Sequence, residues 1–177
     1  MDEIPEDVNI VVFTEFNSHA QNIQEFDNLL IEKGFCFSRT NYSCAWANDI
    51  LIAVRGEDIK IKSTSYVKAY SDMPNVTLNI DWDNIPENLR LDIRVGNKDI
   101  HLWGIRIKDL NSDYKKRKVE METVMKWVKE ISNPIVILGD FNNLRDKTPI
   151  AEWNLNVLDN LLGSDFIRTT PTNHSLK

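Results

Sequence analysis

Residues 137–143 read Ile-Leu-Gly-Asp-Phe-Asn-Asn, and they place a carboxylate, Asp140, and an amide, Asn142, two positions apart directly behind the apolar run Ile135-Val136-Ile137-Leu138. In an extended chain residues two apart share a face, so both side chains can reach toward one point. The carboxyl edge of an α/β sheet is where such groups usually meet a ligand. Gly139 leaves room for another group to approach the backbone, which suits a crowded pocket for phosphate and metal. Glu15 closes a second apolar run, Ile10-Val11-Val12-Phe13, and a carboxylate there could ligate a hard cation through oxygen. Each feature also has a plainer reading: a Gly-Asp pair often opens a turn, and a glutamate after a strand is commonplace. The four β-branched or leucine residues before Gly139 favour the functional reading of Asp140, while Glu15 gains weight only as its partner. The requirement is geometric: Glu15 and Asp140 must converge on one rim of the fold.

The elements that would bring them there follow from periodicity. Val8 to Phe16 reads as a buried strand. Ser18 and Gln21 have the form of a capping box opening a helix, whose apolar positions Ile23, Phe26, Leu29 and Leu30 run to a stop at Gly34. From 35 to 107 the pattern predicts an antiparallel meander: Phe35 to Arg39, Ile50 to Arg55, Ile59 to Ser63, Val76 to Trp82, Leu89 to Val95 and Ile100 to Ile107. Turn signals separate several of these runs, and Gly96 supplies the positive φ that a tight hairpin needs. A second helix is expected from about Ser112 to Ile131, ended by Asn133-Pro134. A fully buried strand over Ile135 to Leu138 follows it, and residues 148 to 162 read as helical in part. The sum is an α/β protein, a layered sandwich of mixed, mainly antiparallel sheets flanked by helices.

The 177 residues suffice for a single domain with a real core. With 42% hydrophobic and 27% charged residues, the chain has the composition of a globular protein rather than a disordered one. No apolar run approaches the roughly 18 residues of a membrane helix, and the acidic start Met1-Asp2-Glu3 is unlike a signal peptide. The expectation is therefore no membrane association and a cytoplasmic location. The net charge of −6 provides no basic field for nucleic acid, although a bound cation could meet a phosphate in place of basic side chains. Cys36 and Cys44 lack metal-ligand spacing and read as reduced and structural, with pairing across a short hairpin as the weaker alternative. The five tryptophans read as packing residues, His19 as part of a helix start, His101 as part of a strand face and His174 as solvated.

Together, Val11-Val12-Phe13-Thr14-Glu15, the strand Asn48 to Arg55, the basic segment Lys115 to Arg117 before its helix, and Gly139-Asp140-Phe141-Asn142 resemble the endonuclease/exonuclease/phosphatase superfamily, whose fold is DNase I-like. The resemblance implies a metal-dependent phosphodiester hydrolase, nuclease or phosphoesterase, acting on nucleic acid or on a small phosphodiester. Asp140 would orient or deprotonate the attacking water, Asn142 would hold the scissile phosphate, and Glu15 would bind Mg²⁺ or Mn²⁺. Phosphoryl transfer asks mainly for positioning and positive charge, which these groups provide. The chain departs from the pattern in lacking the opening asparagine strand and the closing Ser-Asp-His, so it reads as one domain without its first strand and its C-terminal strands. The histidine that usually ends the strand before the long helix is replaced by Arg106 or its neighbour. Arg106 either binds phosphate through its planar fork or is a surface residue on an edge strand. Loss of a histidine acid/base, typically worth about 10²- to 10⁴-fold, would leave a poor enzyme. A non-catalytic binding module on the same fold is the alternative. A weaker one is a doubly wound, response-regulator-like domain with helices in the middle of the chain. Neither the substrate nor the oligomeric state is legible.

Overall fold

The computed structural model describes residues 4–40, 49–65, 86–107, 114–142 and 153–169. The expected strand Val76 to Trp82, Cys44, Trp46 and His174 lie outside them. Among the described residues the elements run β1 (Ile10–Phe16), α1 (Ile23–Glu32), β2 (Cys36–Arg39), β3 (Asp49–Val54), β4 (Ile59–Ser65), β5 (Glu87–Val95), β6 (Lys98–Arg106), α2 (Tyr114–Val128), β7 (Ile135–Asp140) and α3 (Leu155–Leu162), then a 3-10 turn over Gly163–Asp165. Strands stand where the doubly wound alternative needed helices, which disposes of it.

The strands form two sheets, in the orders β1-β3-β2 and β4-β5-β6-β7. Among the described residues only β6 and β7 pair in parallel, and a parallel pair needs a crossover, which α2 supplies. β3 shows why its sequence is a continuous apolar run. As the middle strand of its sheet it is buried on both faces, with Ile50, Ile52 and Val54 in one cluster and Leu51 and Ala53 in another. The first cluster joins β5 and β6 through Leu89, Leu91, Ile93 and Leu102, so it is the layer between the sheets. The second holds Leu30 of α1. A third packs Trp103, Ile105 and Ile107 against Met121, Val124, Met125 and Val128 of α2 and Leu158 of α3. The resulting order is helix, sheet, sheet, helices. Gly104 faces the inter-sheet layer, where a Cβ would lie 2.9 Å from Ile50 Cγ2, so its missing side chain sets how closely the sheets approach.

Four expectations need correction. β1 is not a buried strand: it stands at the end of its sheet's order among the described residues, and none of its residues is fully buried. The run from 35 to 107 is not one meander, because β2 and β3 belong to the first sheet and β4 to β6 to the second. β7 is not fully buried: among the described residues it is the edge of its sheet, and Val136 is 40% exposed. The Ser18/Gln21 capping box does not form, since α1 begins after Asn22 and Ser18 spends its amide and hydroxyl on Asp49. The Gly96 hairpin stands as expected. Val95 pairs with Lys98, leaving Gly96 (φ 58°) and Asn97 as a two-residue turn with glycine first.

Candidate active site

The carboxyl ends of β1, β6 and β7 and the amino ends of β3 and β5 lie at one end of the sandwich. Phe16 pairs with Asp49, Glu87 with Arg106, and Arg106 with Asp140. Arg106 joins the two sheets there. Its Nε and Nη2 donate to Glu15 Oε1 across the layer at 3.2 and 2.8 Å, and its Nη1 donates to Glu87 Oε2 at 3.1 Å. The edge-strand reading of Arg106 is thereby set aside, because β6 is an inner strand and Arg106 is 7% exposed. Burial alone would disfavour its charge. The hydrogen bond to Glu15 and the field and hydrogen bond of Glu87 more than offset that, so its pKa lies above the ordinary arginine value. Glu15, by contrast, has a side chain that is 58% exposed, and its Oε2 has no partner among the described residues.

Glu15 is presented by a β-bulge. Phe13 pairs with Leu51 and Phe16 with Asp49, so two residues, Thr14 and Glu15, stand against the single residue Ile50 on β3. The extra residue breaks the alternation of faces and lets the backbone re-aim a side chain. Glu15 takes φ 56°, in the left-handed region that a glutamate rarely adopts. The loop that follows is pinned by the fully buried Asp49, which accepts from Ser18 N at 3.2 Å, from the Ser18 hydroxyl, and from Thr40 Oγ1 at 2.8 Å.

The Gly139-Asp140-Phe141-Asn142 segment is held with equal care. Gly139 takes φ 135°, and a Cβ on it would fall 1.9 Å from the Ile105 carbonyl oxygen, so no other residue fits. Asp140 Oδ1 accepts from Asn142 N at 2.9 Å, and Asn142 Nδ2 donates to Ile107 O at 2.6 Å. Trp153 Nε1 donates to Phe141 O at 2.8 Å and Arg117 Nη1 to Asn142 O at 3.0 Å, from a fully buried tryptophan and a buried arginine on α2. Asn142 takes φ 43°, and Asp140 Oδ2 has no partner among the described residues. Side chains locked by supporting hydrogen bonds in this way are ready to act without reorganisation.

All four residues singled out in the sequence, Glu15, Arg106, Asp140 and Asn142, therefore sit at this rim. Sequence reasoning missed Glu87, Asp49, Arg117 and Trp153. Glu87 carries no local signal, as only the β5–β6 register brings it to Arg106. Arg117 was noted for its helix, and its bond to the Asn142 carbonyl was not readable. His101 lies on the outer face of β6, with Nδ1 2.5 Å from Asp92 Oδ1, remote from the rim in register. A cleft of about 370 Å³ also opens on that outer face, lined in part by Arg90 and by the stacked pair Trp103 and Trp127.

No family profile and no curated protein matches the sequence. Solved structures do match. TDP2 of D. rerio, complexed with single strand DNA product, superposes with a TM-score of 0.57 at 14% identity, over 78% of this chain and 49% of that one. ANGEL2, a 2',3'-cyclic phosphatase in complex with adenosine-2',3'-vanadate, gives 0.62 at 14% identity, over 79% and 41%. The human Nocturnin catalytic domain with bound sulfate anion gives 0.59 at 11% identity, over 81% and 54%. The chain has the DNase I-like fold. All three neighbours are members of the endonuclease/exonuclease/phosphatase superfamily, and at these identities the fold is what the comparison establishes. The DNase I-like portion described here spans about half of each neighbour's length or less.

Proposed function

We propose that this chain carries the catalytic rim of a metal-dependent phosphodiester hydrolase, with Asp140, Asn142, Glu15 and Arg106 as its working residues. One observation carries the reading most directly. Among the described residues only two non-glycine residues adopt positive φ, Glu15 and Asn142, and both stand at the rim to which Asp140 belongs. Such strain costs about 1–3 kcal/mol per residue and collects where function over-determines the backbone.

In this reading Asp140 Oδ2 orients a water and takes its proton as the water oxygen attacks phosphorus, while the bond from phosphorus to the leaving alkoxide breaks and that alkoxide takes up a proton from solvent. Asn142, fixed by its bond to Ile107 O, presents its amide to the phosphoryl oxygens. Among the described residues no three His, Cys, Asp or Glu side chains gather around one point. Protein ligation of Mg²⁺ would therefore rest on Glu15 Oε2, with water and substrate phosphate completing the shell. A bound Mg²⁺ or Mn²⁺ would neutralise charge developing on the phosphoryl oxygens. A neighbour on the same fold holds a DNA strand, which favours nucleic acid among the phosphodiesters this rim would accept.

The test is turnover of bis(p-nitrophenyl) phosphate with Mg²⁺ or Mn²⁺, where Asp140→Ala should lower the rate about 10²- to 10⁴-fold. An Asp140→Ala protein as active as the parent refutes the assignment. A binding module without catalysis is the second reading, favoured by Arg106 standing where the superfamily's histidine is expected. It predicts no turnover, no calorimetric Mg²⁺ binding and no effect of Glu15→Gln.

A further inference from the structure

Arg106 raises a question that the hydrolase reading leaves open. All three nitrogens of its guanidinium that face the rim are committed to carboxylates, two to Glu15 and one to Glu87. It cannot grip a phosphate in that state. Nor can Glu15 offer both oxygens to a metal, because Oε1 accepts twice from Arg106. The guanidinium occupies the place of a cation between the two sheets, and its burial makes the pairing firm, since a buried charge stripped of its partner is costly.

We infer that Arg106 is an internal counter-cation whose ion pair with Glu15 makes metal and phosphodiester bind together: the anion draws the guanidinium away from Glu15, and the freed carboxylate takes the divalent cation. The geometry supports this exchange on three counts. Glu15 is the more exposed partner, its side chain 58% accessible against 9% for Arg106, so the pair opens from the solvent side. Glu87 keeps Arg106 anchored at Nη1 while Nε and Nη2 change partner, so the arginine pivots rather than leaves. The two donors that now share the single oxygen Oε1 of Glu15 form a planar fork, and such a fork suits the pair of oxygens that a phosphodiester presents. Neither ligand alone is favoured, since the metal by itself would leave Arg106 with Glu87 as its one counter-charge and the anion by itself would leave Glu15 without a cation.

This rests on the hydrolase reading only in taking Glu15 as the cation's ligand, and it can be measured without turnover. The experiment is an EPR titration of Mn²⁺ into the 177-residue chain, with and without saturating dimethyl phosphate as a phosphodiester anion. Wild type should bind Mn²⁺ roughly tenfold tighter with the anion present, within the usual range for coupled sites. Arg106→Gln should bind Mn²⁺ more tightly than wild type on its own and lose the response to dimethyl phosphate. Equal wild-type affinity in both conditions, or no Mn²⁺ binding in either, overturns the inference, and this comparison stands even if Arg106→Gln does not fold. The turnover test of Asp140→Ala is separate, so coupling could fail while hydrolysis holds.

Discussion

Gly139→Ala isolates the contact that sets the position of Asp140. A Cβ at residue 139 would lie 1.9 Å from Ile105 O and 3.0 Å from Ile105 C and N, and all three are backbone atoms of the neighbouring strand. No side chain can rotate aside, so β7 must move away from β6 or residue 139 must abandon φ 135°. Strained backbone costs about 1–3 kcal/mol, and overpacking of a tight contact about 1–3 kcal/mol more. A combined loss of about 2–6 kcal/mol corresponds, for a chain of this size, to roughly 4–24 °C in Tm. The assay is thermal unfolding followed by circular dichroism, with Gly34→Ala as the control. Gly34 shares a positive φ (78°) but nothing lies within 4 Å of its Cβ position, so its loss should stay near 1 kcal/mol, or about 2–4 °C. A Gly139→Ala protein that melts no lower than Gly34→Ala would show that the β6–β7 contact is looser than described, and with it the placement of Asp140.

Two further outcomes follow from the hydrogen-bond partners of the buried Asp49 and the part-buried Asp92. Asp49→Ala leaves Ser18 and Thr40 without their shared acceptor, so urea unfolding should show a loss of about 1–3 kcal/mol and the Ser18 amide should lose protection from exchange; an unchanged midpoint would mean the loop after β1 is held by other contacts. Burial works to raise the Asp92 carboxyl, but hydrogen bonds from Arg90, Ser63 and His101 and the charge of Arg90 hold it well below the usual carboxylate range. Because its folded value is depressed, its contribution to stability is full above the unfolded value of about 4 and is lost as pH falls from there toward the lower folded one. Asp92→Asn should therefore flatten the acid limb of a stability-pH profile below about pH 4, and an acid limb identical to wild type would contradict the network.

Much of this molecule was legible in local pattern. Alternation and apolar runs located β1, β3, β5, β6 and β7, and Gly34 and Gly96 marked a helix stop and a hairpin, because strands, helices and turns answer to short-range sterics and periodicity. The Gly-Asp-Phe-Asn sequence pointed to Asp140 and Asn142 for the same reason: a strand that ends on those residues has few other uses for them. Tertiary structure decided everything that depends on two distant segments meeting. Which runs share a sheet, that β7 is an edge and that Ser18 turns to Asp49 rather than to its own helix are consequences of packing over separations of tens of residues. Glu15 shows the division most clearly. Its type and place at a strand end were readable, whereas the bulge that re-aims it and the guanidinium of Arg106, 91 residues further along, exist only once two sheets are stacked. A side chain's chemistry is local, but its partner is chosen by the stacking of the two sheets, which leaves the buried guanidinium of Arg106 to meet carboxylates in place of water.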